Sequence, residues 1–202
     1  METKKSTPGG ATLEQHWLGK KGNAVIDSRE RIESGEFDAV VMQEQSLRPI
    51  ETPEKMMEYA LELSRSVRQN SGQVFLYMTW SREATPETQD KLKESYEAVA
   101  KRTGATVAPV GLAWKLARER IPGVSLYATD GSHPSRIGSY LAACVIYSTL
   151  TGELCKGLRN VVMSEDAYGE STSLTRISKA NAVALQSIAD ETMRGYRQPN
   201  LD

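Results

Sequence analysis

Strand-length apolar runs alternating with amphipathic helical segments predict an α/β domain built as a three-layer α/β/α sandwich around a parallel sheet. Three observations carry this. The runs Phe37–Met42, Gln73–Trp80 and Ala105–Ala108 are short, compact and apolar, as strands buried on both faces must be. Each is followed by a longer segment with apolar residues at helical spacing. The connections are short, which suits strands joined through crossover helices.

The elements follow in order. Met1–Pro8 is polar and expected to be poorly ordered. Gly9-Gly10 then forms a turn before a helical stretch containing His16, which reads as a structural or rim residue. Residues 23–34, NAVIDSRERIES, read as a short charged helix stopped by Gly35. After the first strand, Thr52-Pro53-Glu54 opens a helix as N-cap, first-turn proline and dipole-favoured acid. Met57, Leu61, Ser64 and Val67 form its expected inner stripe. The second strand ends at Trp80, an aromatic that either walls a pocket or covers the sheet end. Thr85-Pro86-Glu87 repeats the helix-start device, with Leu92, Tyr96, Val99 and Ala100 inward and Gly104 as the stop. The third strand leads into a helix through Arg120, on which Trp114 is expected to pack. A helix over 135–150 carries Ile137, Leu141, Cys144, Val145 and Ser148 on one face. Residues 156–176 read as irregular and polar. The last helix, 178–194, turns Ala182, Leu185, Ile188, Ala189 and Met193 inward. Nothing marks a domain boundary, so a single domain over 1–202 is expected.

Composition narrows the function. The chain has 202 residues, 39% of them hydrophobic, with 25 basic and 26 acidic residues and a net charge of −1. No basic stripe with interleaved aromatics suggests a nucleic-acid partner. No run of about 18 apolar residues suggests a membrane span. Met1–Gly10 lacks the apolar centre of a signal peptide, which reads as cytoplasmic for the sequence as written. Two cysteines, Cys144 and Cys155, make neither a disulfide framework nor a metal site, and two free thiols are expected. Two histidines and scattered carboxylates show no metal spacing, so no metal and no cofactor is expected.

The chemistry concentrates in Tyr127-Ala-Thr-Asp-Gly-Ser-His-Pro-Ser135. Asp130 and His133 flank Gly131 and Ser132. Glycine permits a tight turn with positive φ, so the acid folds back toward the ring. Pro134 then opens the next helix. An imidazole titrates near neutral pH, and an adjacent carboxylate holds its tautomer and its charged form. This is the base-and-orienter half of a nucleophilic hydrolase; a lone D-x-x-H is otherwise a capping acid beside a surface histidine.

The run from Pro109 to Gly152, PVGLAWKLARERIPGVSLYATDGSHPSRIGSYLAACVIYSTLTG, resembles the C-terminal part of SGNH/GDSL-type hydrolases. The resemblance extends over Pro8–Tyr196 and implies a flavodoxin-like sheet order and serine ester hydrolysis without a cofactor. Asp130 is then the orienter and His133 the general base of a Ser-His-Asp triad. The implied substrate is a small-molecule or carbohydrate O-acyl ester. In that family a glycine N–H forms part of the oxyanion hole. Gly10 fits that position better than Gly9. A G-x-N-D block at a strand end supplies a second donor there. Here Gln43-Glu-Gln-Ser46 stands instead, and Gln43 or Gln45 is the candidate donor, since ligands bind beyond the carboxyl ends of such strands.

One block has no counterpart. The family's nucleophile sits at the end of the first strand in Gly-Asp-Ser or Gly-Asn-Ser, and neither motif occurs in these 202 residues. Three strands are also few for such a sheet, where roughly four to six are usual. The expectation is a fold lacking its first strand, with the strand at 37–42 presenting an open edge. Three origins are consistent with this: an internal start within a longer enzyme, a strand donated by another chain, or a relative that has lost the nucleophile and only binds. Family members are often exported, so the resemblance leaves location open. Ser46 and Ser132 lack the elbow that exposes a nucleophilic hydroxyl.

Overall fold

The structure, a computed structural model, describes residues 2–165 and 168–199. Its elements are α1 (Leu13–Leu18), β1 (Lys20–Lys21), β2 (Ala24–Val25), α2 (Ser28–Glu33), β3 (Ala39–Met42), α3 (Arg48–Glu51), α4 (Pro53–Gln69), β4 (Gln73–Tyr77), α5 (Gln89–Thr103), β5 (Thr106–Ala108), α6 (Val110–Arg120), α7 (Arg136–Thr151), β6 (Val161–Glu165), β7 (Ser171–Arg176) and α8 (Lys179–Gly195). A 3-10 turn at Pro86–Thr88 precedes α5. The described residues group into two compact units. One draws on 2–79, 90–108 and 198–199, the other on 80–89, 109–165 and 168–197. No helix among them is long and apolar enough to cross a membrane.

The first unit contains the parallel sheet, in the order β3-β4-β5, with helices flanking it. Ala39 to Met42 register with Gln73 to Leu76, and Phe75 to Tyr77 with Thr106 to Ala108. Val74, Phe75, Leu76 and Val107 are buried, as the apolar runs require. Among the described residues β3 is an edge strand, and its Val41 is 40% exposed. Helix α4 packs on β3 and β4, and α1, α2 and α3 pack on α4. Leu92, Tyr96, Val99 and Ala100 of α5 are buried as expected; each large apolar side chain so removed from water contributes about 1.5–3 kcal/mol.

The second unit holds α6, α7 and α8 in mutual contact, together with strands β6 and β7. Ser135 caps α7 by accepting from Gly138 N–H at 3.1 Å, and Ser178 caps α8 by accepting from Asn181 N–H at 3.1 Å. Leu141, Cys144, Val145 and Ser148 of α7 and Ala182, Leu185, Ile188 and Ala189 of α8 are buried. Both cysteines are free, as expected, and both are buried, Cys155 as well as Cys144.

Four local expectations need correction. Residues 23–34 are not one helix: β1 and β2 form a small antiparallel hairpin across Gly22, and α2 begins only at Ser28. The inner stripe of α4 runs through Met56, Ala60, Leu63 and Val67, so Met57 and Leu61 are only half-buried. Residues 156–176 include an antiparallel hairpin, β6 with β7. Pro134 does not start α7; it forms a bridge with Tyr127, and Ser135 is the cap. In the N-terminal segment, Lys4 Nζ donates to Glu36 at 3.2 Å and Ser6 Oγ to Asp27 at 3.3 Å; Met1 lies outside the described residues.

Candidate active site

The loop between α6 and α7 is closed like a small hairpin. Ser135 N–H donates to Leu126 O at 2.8 Å and Ala128 N–H to His133 O at 2.8 Å, around the Tyr127–Pro134 bridge. Gly131, at φ 65°, makes the tip, with its N–H on Ala128 O at 3.0 Å. The expected positive φ is present, and it folds Asp130 back onto the loop.

Both oxygens of Asp130 are engaged. Oδ1 accepts from Ser132 N–H and His133 N–H, each at 2.9 Å. Oδ2 meets His133 Nδ1 at 2.5 Å. An ionised carboxylate only accepts, so Nδ1 is the donor, and the tautomer follows from that network. The hydrogen bond from His133, then the two backbone N–H groups, hold the Asp130 carboxyl down at about 2. His133 Nε2 is left without a hydrogen bond to any described residue, and its side chain is 79% exposed. A ring with Nδ1 protonated and Nε2 open has the geometry that accepting a proton at Nε2 requires.

The loop is gripped by the segment 80–83, in which Trp80 alone stands out from sequence. Trp80 Nε1 donates to Ser132 O at 3.0 Å, and Glu83 N–H to Gly131 O at 2.9 Å. Tyr127 Oη donates to Ser81 O at 2.8 Å. Arg118 donates to Tyr127 Oη at 3.3 Å and to Glu83 O at 3.2 Å. Trp80 stacks on Trp114 with ring centroids 3.9 Å apart and planes 7° from parallel, and Trp114 meets Tyr127 edge-on at 5.5 Å. Trp80 is thus a loop anchor, and Trp114 is packed as expected, at 1% exposure. A cavity of about 420 Å³ in the same unit is lined by Ser81, Trp114, Lys115 and Arg118 among others; Asp130 and His133 do not line it.

Gly10, Gln43 and Gln45 belong to the other unit. Gly10 has φ 62°, in a turn closed by Ala11 N–H on Pro8 O at 3.1 Å. A capping box follows: Gln15 N–H donates to Thr12 Oγ1 at 3.2 Å and Thr12 N–H to Gln15 Oε1 at 3.1 Å. Gln43 is exposed. Gln45 is better fixed: its Oε1 accepts from Leu47 N–H at 2.9 Å and Arg48 N–H at 3.1 Å, and its Nε2 reaches Ser46 Oγ at 3.5 Å. Two backbone donors on Oε1 settle which end of the amide is nitrogen. Between the glutamines, Glu44 is buried and joins the two segments: its Oε1 accepts from Leu13 N–H at 3.2 Å and from Gln45 N–H at 2.7 Å. It was legible in principle, because strand alternation carried on from Met42 points Glu44 inward. His16 is half-buried, with Nδ1 2.6 Å from Ser28 Oγ, and burial lowers its pKa.

No protein-family model matches the chain, and no curated protein does. A solved protein from Slackia heliotrinireducens, described as a candidate SGNH hydrolase, is 29% identical; the match covers 70% of this chain and 80% of that one, with a TM-score of 0.57. A second solved structure, TesA, is 17% identical over 61% of this chain and 68% of its own, and its TM-score of 0.49 is too low to carry an argument. The first likeness, falling on a chain with this parallel sheet and its flanking helices, supports an SGNH hydrolase-like α/β/α fold and a place in the SGNH/GDSL-like hydrolase superfamily.

Proposed function

We propose that this chain carries the acid–base and oxyanion parts of a serine ester hydrolase acting on O-acyl esters, carbohydrate acetates among them. The observation that carries the reading is the Asp130–His133 contact at 2.5 Å, with Nε2 left open to solvent. In the reaction a serine hydroxyl attacks the ester carbonyl while His133 Nε2 takes its proton. The tetrahedral intermediate collapses as His133 returns that proton to the leaving alcohol. Water then repeats the cycle on the acyl-enzyme. Asp130 stays ionised throughout, holding the ring and its transient charge. Gly10 N–H and the Gln45 amide are the proposed oxyanion donors, with Gln43 as the alternative; one such donor contributes about 3–4 kcal/mol. The serine is the unassigned member, since Gly-Asp-Ser and Gly-Asn-Ser are absent from the 202 residues. That absence favours a second reading, in which the chain binds acylated carbohydrate without hydrolysing it.

Hydrolysis of a chromogenic acetate ester tests the first reading, paired with labelling by a fluorophosphonate. Turnover together with a labelled serine supports the first reading and identifies the missing nucleophile, and His133→Ala should then lower the rate by roughly 10²–10⁴, the range of general acid–base catalysis. No turnover and no label, with retained binding of an acetylated sugar, selects the binding module. Turnover unaffected by His133→Ala rejects the assignment of the base.

A further inference from the structure

Glu44 is the buried ionisable group that the proposed reaction leaves unused. It stands two residues past β3 and is 1% exposed. A carboxylate so buried is costly unless both oxygens are satisfied. Here Oε1 takes two backbone N–H groups, from Leu13 and Gln45, while Oε2 has no hydrogen-bond partner. Its own N–H lies 3.4 Å from the hydroxyl of buried Tyr96 on α5. The charged groups facing it are Arg48 from α3 and Glu14 from α1, and these are already paired with one another. No cation is therefore committed to Glu44, and its carboxyl oxygen is spent on backbone N–H groups from two separate segments.

What it holds is specific. Leu13 is the first residue of α1, directly after the Pro8–Ala11 turn and the Thr12 cap, and Gln45 lies three residues past the end of β3. The contact spans 31 residues of sequence and fastens one candidate oxyanion segment to the other. We propose that Glu44 is a positioning residue for the oxyanion side of the site: one buried carboxyl oxygen, shared by Leu13 N–H and Gln45 N–H, fixes the turn bearing Gly10 against the strand end bearing Gln45. Its catalytic meaning rests on the ester-hydrolase reading; the fastening itself does not. Burial raises the Glu44 carboxyl above its ordinary value, with Glu14 adding to the rise and the two N–H donors and Arg48 opposing it.

The test compares Glu44→Ala with Glu44→Gln, whose carboxamide oxygen accepts the same two N–H groups. Amide hydrogen exchange at Leu13 and Gln45 is read by NMR, with α8 amides as the internal reference. Exchange should speed by roughly tenfold or more in the alanine variant, the order for loss of a buried hydrogen bond, and stay near wild type in the glutamine variant. Unchanged protection in Glu44→Ala, or equal loss in both variants, overturns the proposal. If the alanine variant does not fold, Glu44→Asp, which withdraws the carboxyl by one methylene, replaces it under the same criteria. Exchange is read without turnover, so an inactive chain refutes the hydrolase reading and leaves this measurement to decide the fastening. Where turnover is present, kcat should fall in the alanine variant at little-changed KM and recover in the glutamine variant. Loss of protection with unchanged kcat reduces Glu44 to a structural residue and overturns the positioning role.

Discussion

Gly138→Ala sets two physical effects of opposite sign against each other at the helix that follows the dyad loop. Gly138 is the third residue of α7. In an exposed helix interior, replacing glycine by alanine stabilises by about 1 kcal/mol. Here an added Cβ would stand 2.2 Å from Leu126 O, 2.3 Å from Trp114 Cη2 and 2.9 Å from Trp114 Cζ2. Neither neighbour yields easily. Leu126 O accepts the Ser135 N–H that closes the loop, and Trp114 is fully buried and stacked on Trp80. Overpacking a tight site costs about 1–3 kcal/mol, and two immobile neighbours place this one at the upper end. The clash wins: a net loss of about 2 kcal/mol is expected, near thirtyfold in the folded-to-unfolded ratio. Urea unfolding of the variant reads this directly. Gly123→Ala is the control, since a Cβ there meets nothing within 4 Å, and it should stay within about 0.5 kcal/mol of wild type. A Gly138→Ala protein as stable as wild type, or more so, would refute the packing argument.

Three further outcomes are expected. Trp80→Phe keeps an aromatic against Trp114 but removes the donor to Ser132 O; exchange of the His133 Nδ1 proton with water, followed by NMR, should speed up, and an unchanged rate would show that Trp80 only covers its neighbour. Asp130 is held down at about 2, so its side-chain carbon resonance should stay that of a carboxylate until the pH falls to about that value; titration in the ordinary carboxylate range would mean the ring contact is broken in solution, and Asp130→Asn should lower ester turnover by about 10²-fold or more if it persists. Glu44 has a raised folded value, so the folded state binds the proton more tightly than the unfolded chain. Stability should therefore fall as pH rises from the unfolded glutamate value through the folded one, and Glu44→Gln should flatten that slope in pH-dependent denaturation; an identical slope in both proteins would exclude Glu44 as its source.

How far the sequence could be read depends on the distance over which each feature is encoded. The three parallel strands are legible because burial on both faces forces apolar runs such as Val74-Phe75-Leu76. The dyad is legible because its partners are three residues apart and Gly131 between them permits the turn. The phase of α4 is not, because Met56 and Met57 are adjacent and equally apolar, and only the neighbouring surfaces decide which faces inward. The β6–β7 hairpin escapes notice because much of it is exposed, with Val162, Met163 and Leu174 open to solvent, so no inward alternation marks it. The anchors of the site depend on partners far away in sequence: Trp80 reaches Ser132 across 52 residues, and Glu44 reaches Leu13 across 31. Neither contact has a local pattern to betray it.

The exposure of the dyad bears on which of these contacts matter most. Even a fully charged contact between solvated side chains is worth only about 0–1 kcal/mol and cannot hold two groups in register by itself. Asp130 and His133 are both well exposed, at 50% and 79% of their side chains. The geometry therefore has to be imposed through the backbone. The two peptide carbonyls between acid and base, Gly131 O and Ser132 O, are the ones that Glu83 N–H and Trp80 Nε1 seize. Arg118 in turn ties Glu83 O to the Tyr127 hydroxyl, and that hydroxyl donates to Ser81 O. A surface histidine that merely happened to fall near an aspartate would need none of this. The separation of the acid and the ring is set by a loop whose tip is held on one side by α6 and the 80–83 segment and on the other by the cap of α7, which leaves Nε2 as the atom free to do chemistry.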